Sequence, residues 1–210
     1  QTVAYDVDTS KIDAIRQGKL PVSEPNLDLL ASKNANRLGF TSDAAALSDC
    51  DVIYVAPDIP TDDQGSSDLG PVGILLDLAF DASRSNAVVV VLSQVPPGFT
   101  RGRQRDGRQL FYQVETLIFG RAVERALNPE RYIVGGADPE SPLPPAYAEF
   151  LAAHKCPILV MRYESAELAK ISINMCLVAS VSTANTLAEL CEQIGADWSE
   201  IVPALRLDRR

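Results

Sequence analysis

"NAVVVVLSQVPPG" (residues 86–98) decides the fold. Six apolar residues, Ala87 to Leu92, stand in a row, four of them valine, and the run is closed by paired prolines and a glycine. A strand with one wet face alternates apolar and polar residues. A run that is apolar at every position suits a strand covered on both faces, as parallel strands between helices are. Working towards the N-terminus, "LGPVGILLDLAFDAS" (69–83) has helical spacing, and "CDVIYVAPDIP" (50–60) repeats the short β-branched run closed by proline. Towards the C-terminus, "RYIVGG" (131–136) and "CPILVM" (156–161) supply two more short strands. Between these lie the proline-rich "ADPESPLPP" (137–145) and the helical "AYAEFLAAHK" (146–155). Strand and helix alternate up to residue 160, which predicts an α/β layer structure with right-handed crossovers and a mostly parallel sheet. Ligands of such sheets sit at the carboxyl ends of the strands.

"TVAYDVD" (2–8) has the pattern of a strand ending in acids, and "TSKIDAIRQGKLP" (9–21) that of a helix capped by Thr9 or Ser10 and stopped by Gly18. On this pattern the chain is expected to begin in mid-fold. After residue 160 the alternation stops. Ala166 to Ile194 is expected to form one helix of roughly 43 Å ended by Gly195. Leu168, Ile171, Met175, Val178, Leu187, Leu190 and Ile194 would form its contact stripe.

The 210 residues are 46% hydrophobic and 22% charged, with 19 basic and 28 acidic side chains and a net charge of −9. Such a surface repels nucleic acid and anionic membranes, so neither is an expected partner. No run approaches about 18 consecutive apolar residues and no signal-peptide pattern opens the chain, which makes a cytoplasmic location the expectation. Cys50, Cys156, Cys176 and Cys191 lack CxxC spacing. They are expected to be reduced, buried thiols, and no metal site is expected.

Four places carry candidate chemistry. Asp6 and Asp8 stand at the end of the first strand, where a Rossmann fold places the acid that accepts from an adenosine ribose. A carboxylate there repels a 2′-phosphate and favours NAD over NADP, although acids after strands also occur without any ligand. "SQVPPG" (93–98) puts a rigid turn on the ligand edge of the sheet. Glu115 is the one acid within "QVETLIFG" (113–120), placed either to move a proton or to cap the following helix. Lys170 and Asn174 lie four apart on one helical face, about 6 Å from each other. Either they form a solvated face, with Glu167 pairing to Lys170, or they donate hydrogen bonds to a developing oxyanion.

These pieces occur in an order that resembles the UDP-glucose/GDP-mannose dehydrogenase family, NAD-dependent enzymes that oxidise the C6 alcohol of a nucleotide sugar to a carboxylate. "YDVDTSKIDAIRQGKLPVSEPNLDLL" (5–30) is similar to the family's second strand and following loop, and "DVIYVAPDIPTDDQGSSDLG" (51–70) to its next cofactor strand. "LSQVPPGFT" (92–100) is similar to its Ser-Thr-Val-Pro-x-Gly turn, "VETLIFG" (114–120) to its Pro-Glu-Phe-Leu segment and "NPERYIVGG" (128–136) to its Pro-Asp-Arg-Ile-Val-x-Gly strand. "SAELAKISINMCLVASVSTANTLAELCEQIGAD" (165–197) resembles its central helix and is the most specific match.

The resemblance implies a Rossmann-like NAD-binding domain over residues 1–160 and a central helical dimerisation region over 161–210, with a homodimer formed through the helix 165–194. It implies that Asp6, Lys11, Ala56, Pro57, Ser93 and Gln94 bind NAD. A nucleotide-sugar substrate would meet Glu115, Thr116, Leu117, Lys170 and Asn174, with Glu115, Lys170 and Asn174 catalytic. Three positions depart from the family pattern: Ile59 and Gln94 stand where it has threonines, and Phe119 where it has an acid. The family's glycine-rich strand is expected before Gln1 and its catalytic cysteine after Arg210. Two other readings remain open, a β-hydroxyacid or 6-phosphogluconate-type dehydrogenase and a non-catalytic nucleotide-binding dimerisation module.

Overall fold

A computed structural model of the chain describes residues 1–208, which divide into two compact units, Gln1–Leu168 and the residues from Ala169 onward. The first unit runs β1 (Thr2–Tyr5), α1 (Thr9–Arg16), α2 (Leu27–Lys33), β2 (Leu38–Thr41), a 3-10 helix (Ala44–Asp49), β3 (Val52–Val55), α3 (Gly70–Ala82) and β4 (Val88–Val91). It continues with α4 (Phe99–Gly102), β5 (Gln109–Gln113), α5 (Ala122–Leu127), β6 (Tyr132–Gly136), α6 (Pro145–Ala152), β7 (Ile158–Arg162) and the opening of α7 (Tyr163–Ile194).

The valine run is an interior strand of the five-stranded sheet, buried on both faces. Val88 to Val91 are each 1% exposed or less, with β3 on one side and β5 on the other, both parallel to it. The five-stranded sheet has the order β3-β4-β5-β6-β7, and β5 with β6 is its antiparallel pair. The α/β class with a mostly parallel sheet and a long helix is therefore what the chain adopts. β1 and β2 form a separate parallel two-stranded sheet.

Several local expectations are corrected. Helix α1 is capped by Asp8, whose side chain accepts from the Ser10 N–H, because the extended backbone of residue 8 aims its carboxylate at the first helical amides. Strands β2 and β5 have no pattern that sets them out in sequence. LGFT contains a glycine and QLFYQ begins and ends on glutamine, so it is pairing with β1 and β4 that makes them strands. Helix α7 begins at Tyr163, three residues before the expected Ala166, and has 32 residues, about 48 Å of rise. Its first turn is set by docking on the sheet: Tyr163 is buried and its hydroxyl donates to the Leu110 carbonyl at 2.7 Å. Of the four cysteines, all free, Cys191 is buried, Cys50 and Cys156 are partly covered, and Cys176 is exposed on α7.

In the second unit α7 continues to Ile194 and is ended by Gly195, whose φ of 74° is a left-handed value that glycine adopts without strain. Helix α8 (Trp198–Leu207) follows, capped by Asp197 through the Ser199 N–H at 2.8 Å. Residues 171–188 of α7 contain no charged side chain, and the helix is long and apolar enough to cross a membrane by length and composition. The same stretch carries Ser172, Asn174, Ser180, Ser182, Thr183, Asn185 and Thr186.

Candidate active site

Five of the six nominated cofactor residues follow the carboxyl ends of β1, β3 and β4 within a few residues, and the sixth, Lys11, lies on α1. Asp6 follows β1 directly and is partly covered; its Oδ2 faces Lys11 Nζ at 3.4 Å, and its Oδ1 accepts the Asp8 N–H at 2.9 Å. The turn of chain between β1 and α1 thus aims a carboxylate outward from the strand end with a cation beside it. That donor set suits a ribose diol, whose hydroxyls donate to a carboxylate. Asp8 is committed to the helix cap, and the Ser10 hydroxyl and amide hold its carboxyl below the usual carboxylate range.

At the ends of β3 and β4, Ala56 is exposed, Pro57 partly covered and Ser93 buried. The Ser93 hydroxyl donates to the Pro57 carbonyl at 2.6 Å, and the Leu92 N–H donates to the Val55 carbonyl at 2.9 Å. Ser93 therefore ties the two post-strand turns together, which spends its proton within the protein. Gln94, next along, is exposed.

Glu115 lies two residues past β5 and is partly covered. The strand end before it is pinned in the core: Gln113 Oε1 accepts from the Tyr54 hydroxyl at 3.0 Å and from the Tyr147 hydroxyl at 2.8 Å. Burial pushes both phenols well above their ordinary pKa, so they stay neutral donors. Beyond Gln113 the segment is held piecewise. Glu115 Oε1 accepts the Leu117 N–H, Arg125 Nε donates to the Thr116 carbonyl at 2.8 Å, and Leu117, Ile118 and Phe119 are exposed, Phe119 at 95%.

Two carboxylates, Glu24 and Glu167, hold backbone amides far from them in sequence. Glu24, in the loop after α1, accepts the Gly120 N–H at 2.8 Å and the Ala122 N–H at 3.1 Å, fixing the start of α5 and the end of the Glu115 segment. Its one sequence signal is the following Pro25, which biases residue 24 away from helix. Glu167, expected on a solvated face, is not on one. It is fully buried, and its oxygens accept the Gly98 and Thr100 N–H groups at 2.6 and 2.9 Å. Beside it, Arg101 forms a bidentate pair with Glu164, and that hydrogen-bonded guanidinium brings the Glu164 carboxyl down to about 2. Tyr163, under the Arg101 guanidinium, is pushed up to about 12 by burial.

Lys170 and Asn174 belong to the second unit, on α7, where Lys170 is partly covered and Asn174 exposed. They occupy positions i and i+4 of an unbroken helix and so share a face. Among the described residues no cluster of three or more His, Cys, Asp or Glu side chains is arranged to hold a metal ion. A shallow concavity between the 3-10 helix and α3, lined by Ala44, Ile74, Asp77, Leu78, Asp81 and Ala82, contains none of the nominated residues. Its two carboxylates are engaged by Arg105 at 2.7 Å each.

Comparison with known proteins decides the family. Residues 1–151 match the NAD binding domain of the UDP-glucose/GDP-mannose dehydrogenase family, and residues 164–210 match its central domain. The chain belongs to the UDP-glucose/GDP-mannose dehydrogenase family. It is 31% identical to the UDP-glucose 6-dehydrogenase TuaD of Bacillus subtilis, with all of this chain aligned to 48% of that protein. Against a UDP-glucose 6-dehydrogenase of Pseudomonas aeruginosa the identity is 30%, covering 100% of this chain and 50% of the relative. Among solved structures, a ternary complex of GDP-mannose dehydrogenase from Pseudomonas aeruginosa superimposes with a TM-score of 0.87 at 26% identity, over 99% of this chain and 51% of that one. A UDP-glucose dehydrogenase from Pyrobaculum islandicum gives 0.84 at 30%, with the same coverage. The chain thus spans about half the length of the curated relatives it matches.

Proposed function

We propose that the protein containing this chain is a cytoplasmic NAD-dependent nucleotide-sugar 6-dehydrogenase that oxidises the C6 alcohol of a UDP-glucose-like substrate to the uronate. The observation that carries this reading is the family match over both the NAD binding domain and the central domain. Four free cysteines suit a reducing compartment. Within this assignment Asp6 accepts from the adenosine ribose, with Lys11 beside it, and Ala56, Pro57, Ser93 and Gln94 line the cofactor edge. NAD supplies the hydride acceptor. Lys170 and Asn174 donate hydrogen bonds to the oxygen at C6, where negative charge develops, and Glu115 moves a proton, with Thr116 and Leu117 beside the substrate.

The helix 165–194 supports a homodimer. Met175, Leu177, Val178 and Val181 are each more than half exposed within their own unit, and a second copy of the same helix would cover them. The polar side chains among them suit a protein neighbour better than lipid, where each would need a partner. Ser180 and Thr186 already bond carbonyls four residues back.

The test is NADH absorbance in the complete protein with a UDP-sugar present. Lys170→Ala is expected to cut kcat by about 10²–10³-fold, the size of one lost oxyanion donor. An unaffected Lys170→Ala variant removes the role assigned to this lysine. A wild-type protein that binds NAD but reduces none of it with any nucleotide sugar favours the non-catalytic module, to which Phe119, exposed in place of the family's acid, also points.

A further inference from the structure

The turn after β4 is gripped by a carboxylate from another element. Glu167 has no exposed surface; its Oε2 accepts the Gly98 N–H at 2.6 Å and its Oε1 the Thr100 N–H at 2.9 Å. Gly98 has φ 93°, which glycine adopts without strain, so the last residue of the turn is held both by its backbone geometry and by the anion under its N–H. A buried carboxylate is costly unless its oxygens are met by donors. The contact between α4 and α7 does not depend on Glu167 alone, since Arg101 already pairs with Glu164 and covers the Tyr163 ring at 5.3 Å. What Glu167 adds is control of the turn's backbone.

In α/β folds of parallel strands a dinucleotide lies along the strands' carboxyl ends, with its two halves at the ends of different strands. Asp6 and Lys11 stand after β1, and the Gln94–Gly98 turn stands after β4. With the adenosine half at Asp6, the other half falls to the turn. We propose that Glu167 is a positioning residue that holds the 94–98 turn in the shape that receives the nicotinamide half of NAD. This rests on the dehydrogenase reading given above.

The test is calorimetric titration of the complete protein with NAD and, separately, with ADP-ribose, which keeps the adenosine half and lacks the nicotinamide. Glu167→Gln is isosteric but sets an amide NH₂ against one of the two N–H donors. It is expected to weaken NAD about tenfold, the effect of one charge-assisted hydrogen bond, and to leave ADP-ribose within about twofold. Glu164→Gln loosens the same helix contact at the surface and should leave both ligands within about twofold of wild type. Glu167→Asp keeps the charge one methylene short; it should fall between, and it carries the test if the Gln variant does not fold. Equal loss of both ligands, no loss of either, or the same selective loss in Glu164→Gln overturns the inference. A wild type that binds neither ligand overturns the dehydrogenase reading and this inference with it, whereas a wild type that binds NAD beside unchanged Glu167 variants overturns the inference alone.

Discussion

At the residue scale, Glu164 and Glu167 are two carboxylates one turn apart on the same helix with opposite fates. Glu164 is partly exposed and takes its charge partner from Arg101; Glu167 is buried and takes backbone amides instead. The difference sets an acid sensitivity. The folded pKa of Glu164 is depressed to about 2, below the ordinary 4.5, chiefly by the Arg101 hydrogen bonds. Its contribution is therefore present above pH 4.5 and is lost as pH falls towards 2. Because the pair is exposed, the effect is that of a surface ion pair, below about 1 kcal/mol. Thermal melts between pH 6 and 2 should show Glu164→Gln converging on the wild type as the pH drops. A constant difference at all pH values would mean that the carboxylate contributes packing and no charge.

At the element scale, the root of α7 is where the long helix meets the sheet, and Gly135 on β6 makes that approach possible. A Cβ at residue 135 would sit 3.0 Å from the Ala166 Cβ, 3.1 Å from the Tyr163 Cα and 3.2 Å from the Tyr112 Cβ. Two of those three neighbours are on α7, and one is its backbone. Gly135→Ala must therefore push the helix off the strand, an overpacking cost of about 1–3 kcal/mol. For a chain of this size that lowers Tm by roughly 2–12 °C. An unchanged Tm would show that α7 shifts freely on the sheet. The need for a glycine at residue 135 thus comes from a contact that lies far off in sequence, between residues 135 and 163–166.

At the scale of the whole molecule, apolar side chains on α7 beyond Leu168 are left uncovered by their own unit. An apolar helix face without a partner is unfavourable in water, and the proposed occupant is a second copy. Val178→Glu, at a position 64% exposed, should shift the sedimenting species of the complete protein from dimer to monomer. A wild type that sediments as a monomer removes the dimer from the proposal.

Much of this was legible in the chain because it is local. The all-apolar run at 88–91 marks a strand covered on both faces, Gly195 marks the helix end, and Lys170 and Asn174 share a face wherever that helix lies, since 3.6 residues make a turn. Asp6 follows the first strand and so reaches the edge of the sheet by connectivity alone. Tertiary structure decided what depends on residues far apart. β2 and β5 are strands because β1 and β4 pair with them. Glu24 reaches across 96 residues to Gly120, and Glu167, expected on a solvated face, is a buried anchor for a turn 67 and 69 residues earlier. A carboxylate's role follows from which donors surround it, and donors brought together by folding leave no period or spacing in the sequence.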